Sequence, residues 1–96
     1  MFKCINNNKK IIIDVRDEKE HLKSDCKILK NTINIPLKQL ERKIKCLRID
    51  KCAQIIVFCD SGKRSKVATI ILKDMGYTNI FDIGGYKNLE RLGILK

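Results

Sequence analysis

Apolar residues follow two different periodicities along this chain. Ile11, Ile12, Ile13 and Val15, interrupted only by Asp14, form a β-branched run apolar on both faces, which predicts a strand covered by helices on either side. The segment QIIVFC, Gln54 to Cys59, repeats that pattern. Thr32 to Ile35, closed by Pro36, and Asn79 to Ile83 read as two further strands. Between these runs the period lengthens. A polar stretch predicts a short helix near Glu18 to Lys23, and Leu37, Leu40, Ile44 and Leu47 then recur at spacings of three, four and three. That spacing gives an amphipathic helix with a basic outer face. From about Ser65, the residues Val67, Ala68, Ile71, Leu72 and Met75 form another inward helical face, and Gly76 stands where a left-handed residue ends a helix. After Gly84 and Gly85 a last short helix carries Tyr86, Leu89 and Leu92. Strands alternating with helices predict an α/β fold, a mainly parallel central sheet flanked by helices with right-handed crossovers. The chain has 96 residues and no linker or repeat, so one domain over 1–96 is expected.

Composition narrows the function classes. No apolar run approaches the roughly 20 residues of a membrane span, and the N-terminal MFKCINNNKK lacks the apolar core of a secretory signal. Five cysteines (Cys4, Cys26, Cys46, Cys52, Cys59), an odd number without CxxC spacing, form neither a disulfide framework nor a zinc site. They read as reduced thiols of a cytoplasmic protein, with no metal or cofactor expected. The formal net charge of +10 would attract anions or acidic partners. The excess is spread along the chain, densest in residues 38–51, and only five aromatic residues are present for base stacking, which disfavours nucleic acid as the main partner. A monomer is the default expectation.

One stretch carries chemistry. FCDSGKRSKVA follows the apolar run IIV, so Cys59 ends a buried strand, and in open α/β sheets ligands bind beyond the carboxyl ends of the strands. Gly62 lets the chain curl tightly, and successive amides from Asp60 to Ser65 can converge as a nest at the N-terminus of the next helix. Such donors, with Lys63 and Arg64 beside them, would stabilise a thiolate, a persulfide or an oxyanion. Ser65 can cap or close the loop. An inert buried cysteine before an ordinary turn is the competing reading of these residues.

The chain resembles the single-domain rhodanese family of sulfurtransferases. The resemblance rests on DVR at Asp14 to Arg16, NIPL at Asn34 to Leu37, C-x-x-G-x-R-S at Cys59 to Ser65, MGYTNI at Met75 to Ile80, and the pair Gly84–Gly85, in family order over nearly the whole chain. It implies a ping-pong transfer in which Cys59 takes sulfane sulfur from a small anionic donor such as thiosulfate and passes the persulfide sulfur to cyanide, a thiol or a protein acceptor. The same resemblance puts the amides of Asp60, Ser61, Gly62, Lys63, Arg64 and Ser65 around the persulfide, with Arg64 and Lys63 drawing in the donor. Asp14 and Arg16 would then be a structural pair supporting the site. Many relatives carry His-Ile-Pro-Gly-Ala where this chain reads ILKNT, and a Trp where it has Leu89. The sole histidine, His21, is expected to be exposed. Two alternatives stay open: a non-catalytic partner-binding domain, and a phosphatase or arsenate reductase of the same fold. The latter uses C-x5-R, whereas here Arg64 stands at plus five and Ser65 at plus six.

Overall fold

A computed structural model describes residues Lys10 to Ile94. Four strands, β1 (Lys10–Asp14), β2 (Ile33–Asn34), β3 (Gln54–Cys59) and β4 (Ile80–Gly85), pair in parallel in the order β2-β1-β3-β4. Among the described residues four α-helices connect them, α1 (Glu18–Leu22), α2 (Cys26–Asn31), α3 (Leu40–Leu47) and α4 (Lys63–Asp74), and α5 (Lys87–Arg91) follows β4. This is the predicted α/β sheet, with β1 and β3 at its centre.

The two central strands are apolar on both faces because each face has its own core. Ile13, Val15, Ile55, Val57 and Cys59 pack with Leu40 and Ile44 of α3, Ala68 and Leu72 of α4, and Tyr77. The alternate residues Ile12, Ile56 and Phe58 pack with Ile28 of α2 and Leu89 of α5. Cys59 therefore faces the α4 layer, directly beneath that helix's first turn. Tyr77 Oη donates to the Ile49 carbonyl at 2.9 Å and so satisfies its polar end at the margin of the core.

Several boundaries differ from the sequence expectation. The second strand pairs only over Ile33–Asn34, and Ile33 is exposed, as an edge strand allows. Helix α2, unforeseen in a polar stretch, begins at Asp25, whose carboxylate accepts the Ile28 N–H at 3.1 Å, and ends where Thr32 Oγ1 donates to the Ile28 carbonyl at 2.7 Å. A 3-10 turn at Leu37–Gln39 precedes α3, so the helix starts later than its spacing suggests and Leu47 falls outside the core. Val67 is likewise exposed, because α4 buries only the narrow stripe Ser65, Ala68 and Leu72, and Leu92 is exposed just past the end of α5, whose buried residue is Leu89. Cys52 is disulfide-bonded, so the reading of all five cysteines as reduced does not hold. An odd count excludes a complete framework but leaves room for a single bridge, and the thiols thus lend no support to a reducing compartment. Among the described residues, no helix is long and apolar enough to cross a membrane.

The two faces of α4 give a direct check on this packing. Leu72→Ala should destabilise by about 2–5 kcal/mol in urea denaturation, whereas Val67→Ala should change stability by no more than about 0.5 kcal/mol. Comparable losses at both positions would mean that α4 is rotated from the orientation described.

Candidate active site

Cys59 is wholly buried at the last residue of β3, and the chain then turns back over its sulfur. Gly62, with φ of 95°, makes that turn possible; an L-residue is strained in this left-handed conformation. Its amide donates to Sγ at 2.9 Å, and the amide of Ser65 donates at 3.4 Å. The thiol lies 3.6 Å from Ser65 Oγ, whose own hydroxyl donates to the Gly62 carbonyl at 3.1 Å. On ionisation that hydroxyl can rotate to donate to the sulfur instead.

Burial by itself pushes the Cys59 thiol up. The hydroxyl of Ser65 and the amides of Ser65, Gly62 and Arg64 together outweigh it, so the thiol ionises below its ordinary value. The sign is that of a nucleophile: the charged form is favoured although the atom is out of water. Asp60 is exposed, so its carboxylate does not sit against the sulfur. Ser61 and Lys63 are also exposed.

The loop leans on the end of β4. Past a register shift between Val57 and Cys59, Cys59 pairs with Gly85, and a Cβ placed on Gly85 would meet the Asp60 carbonyl oxygen at 2.7 Å. Gly84 is tied down by its N–H, which donates to Asp82 Oδ1 at 2.9 Å. Gly85 therefore has a steric meaning: without a side chain it lets β4 approach the backbone of the loop that follows Cys59.

A second layer fixes the loop from the β1 side. Asp14 is fully buried and accepts from Arg16 N at 2.9 Å, from Arg16 Nε at 3.0 and 3.1 Å, and from Arg16 Nη2 at 2.8 Å. His21 Nδ1 lies 2.9 Å from Asp14 Oδ2, which corrects the expectation of an exposed histidine: the ring is buried because it partners this carboxylate. Arg16 also donates to Ser24 Oγ at 2.5 Å and stacks over Phe58 and Tyr86, with its guanidinium carbon 5.6 and 5.0 Å from the ring centres. Burial opposes the charge of Arg16, but Asp14 more than restores it, and its pKa is raised. Asn34 completes the brace by donating to the carbonyls of Asp14 and Arg16 at 3.0 and 2.9 Å.

Arg64 does not reach toward the sulfur with its side chain. Its Nη1 and Nη2 donate to Glu20 Oε1 and Oε2 at 2.7 and 3.0 Å, a bidentate pair joining α4 to α1. Hydrogen bonding to Glu20 raises the Arg64 pKa, and the same bonding lowers Glu20 to about 2. Sequence reading missed Glu20, His21, Ser24 and Asn34. The one available signal was Asn34, which opens the NIPL motif. Two hollows flank the loop. One of about 310 Å³ is lined by Arg16, Glu20, Lys23, Asp25, Asp60 and Tyr86, among others. Another of about 540 Å³ includes Ser61, Lys63, Lys66 and Asp82.

Residues 3–91 match the rhodanese-like domain. The chain belongs to the rhodanese-like family. It is 35% identical over 77 residues to the thiosulfate sulfurtransferase PspE of Escherichia coli strain K12, an alignment covering 80% of this chain and 71% of that protein. It is 36% identical over 89 residues to the adenylyltransferase and sulfurtransferase UBA4 of Candida glabrata, covering 83% of this chain but only 20% of that larger protein. Among solved structures, a rhodanese with anions from E. coli superimposes with a TM-score of 0.73 at 34% identity, covering 82% of this chain and 89% of that one. The human single-domain sulfurtransferase TSTD1 shares the fold, with a TM-score of 0.67 at 23% identity over 86% of this chain and 82% of that one.

Because β4 packs against the Asp60 carbonyl, Gly85→Ala should cost about 1–3 kcal/mol of stability through overpacking and should raise the Cys59 ionisation midpoint by drawing the loop off the sulfur. Thermal unfolding and the pH dependence of Cys59 alkylation measure the two effects. An alanine variant with unchanged values for both would show that the close approach is not required.

Proposed function

We propose that this chain is a rhodanese-type sulfurtransferase that moves sulfane sulfur through a Cys59 persulfide. The observation that carries the reading is the buried Sγ held by the Gly62 and Ser65 amides at 2.9 and 3.4 Å, in a rhodanese-like domain whose relative PspE is a thiosulfate sulfurtransferase. With thiosulfate, the Cys59 thiolate attacks the outer sulfur, the S–S bond of the donor breaks with its electron pair going to sulfite, and Cys59 is left as a persulfide anion. In the second half, a thiolate or cyanide attacks the outer persulfide sulfur and the Cys59 thiolate leaves. This is covalent catalysis by an activated thiol. The amides from Asp60 to Ser65 hold the persulfide charge in the proposed intermediate, and Ser65 Oγ turns toward it. The converging donors are already in position before the donor arrives, so little reorganisation accompanies charge transfer.

The roles of the supporting residues follow from their contacts. Asp14 and Arg16, locked to each other, hold the end of β1 against the loop and remain outside the chemistry. The same cradle fits an oxyanion hydrolase poorly, because the Arg64 fork is filled by Glu20 and Ser65 stands at the plus-six position.

Incubation with thiosulfate should add about 32 Da, one sulfur, to the peptide containing Cys59, and cyanide should discharge it as thiocyanate. Cys59→Ser should lose both adduct and turnover, while Cys26→Ser and Cys46→Ser, at exposed free thiols, should retain them. Thiocyanate formation undiminished in Cys59→Ser would reject the reading.

A further inference from the structure

Both arginines beside the nucleophile loop are neutralised by carboxylates of the protein itself. The Arg16 fork is closed on Asp14, with both carboxylate oxygens engaged. The two terminal nitrogens of Arg64 are closed on Glu20, with the side chains of the pair 33% and 35% exposed and so within reach of a solute. A planar guanidinium can bind a carboxylate end-on through its two terminal nitrogens, and here Glu20 fills that face of Arg64 as a donor oxyanion would. The remaining charges lining the adjoining hollow are one cation, Lys23, against Asp25 and Asp60. A dianion approaching from this flank meets net negative charge although the whole chain carries +10.

Glu20 is also well held. Its Oε1 accepts the Asp17 N–H at 3.2 Å, closing the first turn of α1, and the neighbouring residue His21 is anchored on Asp14 at 2.9 Å. Arg64 in turn supplies an amide near Sγ and sits one residue from Ser65, while its guanidinium turns away from the sulfur to Glu20, so its charge is already answered. Acidification within the range of an ordinary assay does not open the pair, since Glu20 is protonated only as the pH falls toward about 2.

We infer that Glu20 is a specificity-determining residue, an internal carboxylate that competes with oxyanion donors for Arg64 and thereby favours alkyl persulfides over thiosulfate. The inference rests on the sulfur-transfer reading above. With a persulfide donor, the Cys59 thiolate attacks the outer sulfur of R–S–SH, the donor S–S bond breaks, R–S⁻ leaves, and the proton stays on the new Cys59 persulfide. At most one negative charge needs accommodation, and the amide cradle serves it without the guanidinium. Thiosulfate must either displace Glu20 or bind without the fork.

The test compares wild type, Glu20→Gln, Arg64→Ala and the double variant in the donor half-reaction, with thiosulfate and 2-hydroxyethyl persulfide, which carries no oxyanion, as the two donors. Gln keeps the shape of Glu20 and an oxygen to accept the Asp17 N–H, but lacks the charge. Glu20→Gln should lower KM for thiosulfate by at least about 3-fold, the scale of one partly exposed charge pair, and change KM for the persulfide by less than about 2-fold. The gain should vanish when Arg64 is already Ala. A binding readout independent of turnover is protection by inorganic sulfate of Cys59 against iodoacetamide, followed by peptide mass: Glu20→Gln should strengthen protection. Equal losses with both donors, together with a lower Tm, would show that the pair only braces α1 against α4. A thiosulfate gain persisting in the Arg64→Ala background would show that Glu20 acts by general repulsion rather than through Arg64. Either result overturns the inference and leaves sulfur transfer intact, whereas a wild type that forms no Cys59 persulfide with either donor removes the underlying reading as well.

Discussion

The convergence of backbone amides on one buried sulfur is the constraint to which the rest of the structure answers. A thiolate out of water is costly unless several donors replace its hydration, and amides do so without the entropy of long side chains. For the Gly62 and Ser65 amides to reach Sγ the chain must curl within a few residues, which requires the positive φ of Gly62. For so tight a curl to hold its shape, β4 must press on it from behind, which requires a bare α-carbon at Gly85 facing the Asp60 carbonyl. The helix that follows starts in the loop itself, at Lys63, so its first amides belong to the same nest.

The brace on the other side solves a separate problem. Asp14 is a carboxylate with no exposed surface, and it is tolerated because Arg16 satisfies Oδ1 and, together with His21, Oδ2. Removing one partner would leave a buried charge, so the network is all-or-none in character. It also places α1, and α1 places Glu20 against Arg64. The histidine and the carboxylate at the end of β1, the strand beside β3, thus bear on the site through helix position. This gives the Asp14–Arg16 pair a physical role that does not require contact with the substrate.

Much of this was legible from the chain. The uninterrupted apolar runs at β1 and β3 identified central strands because a strand covered on both sides has no polar face, and β3 ends at Cys59 as its composition suggests. The tight turn after Cys59 was legible because Gly62 can adopt the positive φ that such a turn needs. What escaped was long-range and polar. Glu20 and Arg64 are 44 residues apart, and charged residues on short helices look alike whether they face solvent or each other. His21 was misjudged because it stands in a polar stretch with nothing nearby in sequence to mark it for burial, while α1 turns the ring toward Asp14 and leaves Leu22 exposed. Val67 was misjudged for a similar reason: α4 meets the sheet through the small residues Ser65 and Ala68, a stripe narrower than its apolar content implies. The disulfide of Cys52 was beyond spacing arguments altogether, since pairing is a matter of three-dimensional approach.

The central claim, that amides and the Ser65 hydroxyl overcome burial to favour the Cys59 thiolate, is tested most directly by titrating that thiol. Ultraviolet thiolate absorbance can be followed with pH in the wild type and in Cys59→Ser, so that the difference isolates one sulfur from the other cysteines. The account predicts a midpoint below that of a free cysteine thiol in the same buffer, with the charged nucleophile present on the alkaline side of that midpoint, and a rise in the midpoint in Ser65→Ala. A wild-type midpoint at or above the free thiol would mean that burial wins, and that the loop buries a cysteine without activating it.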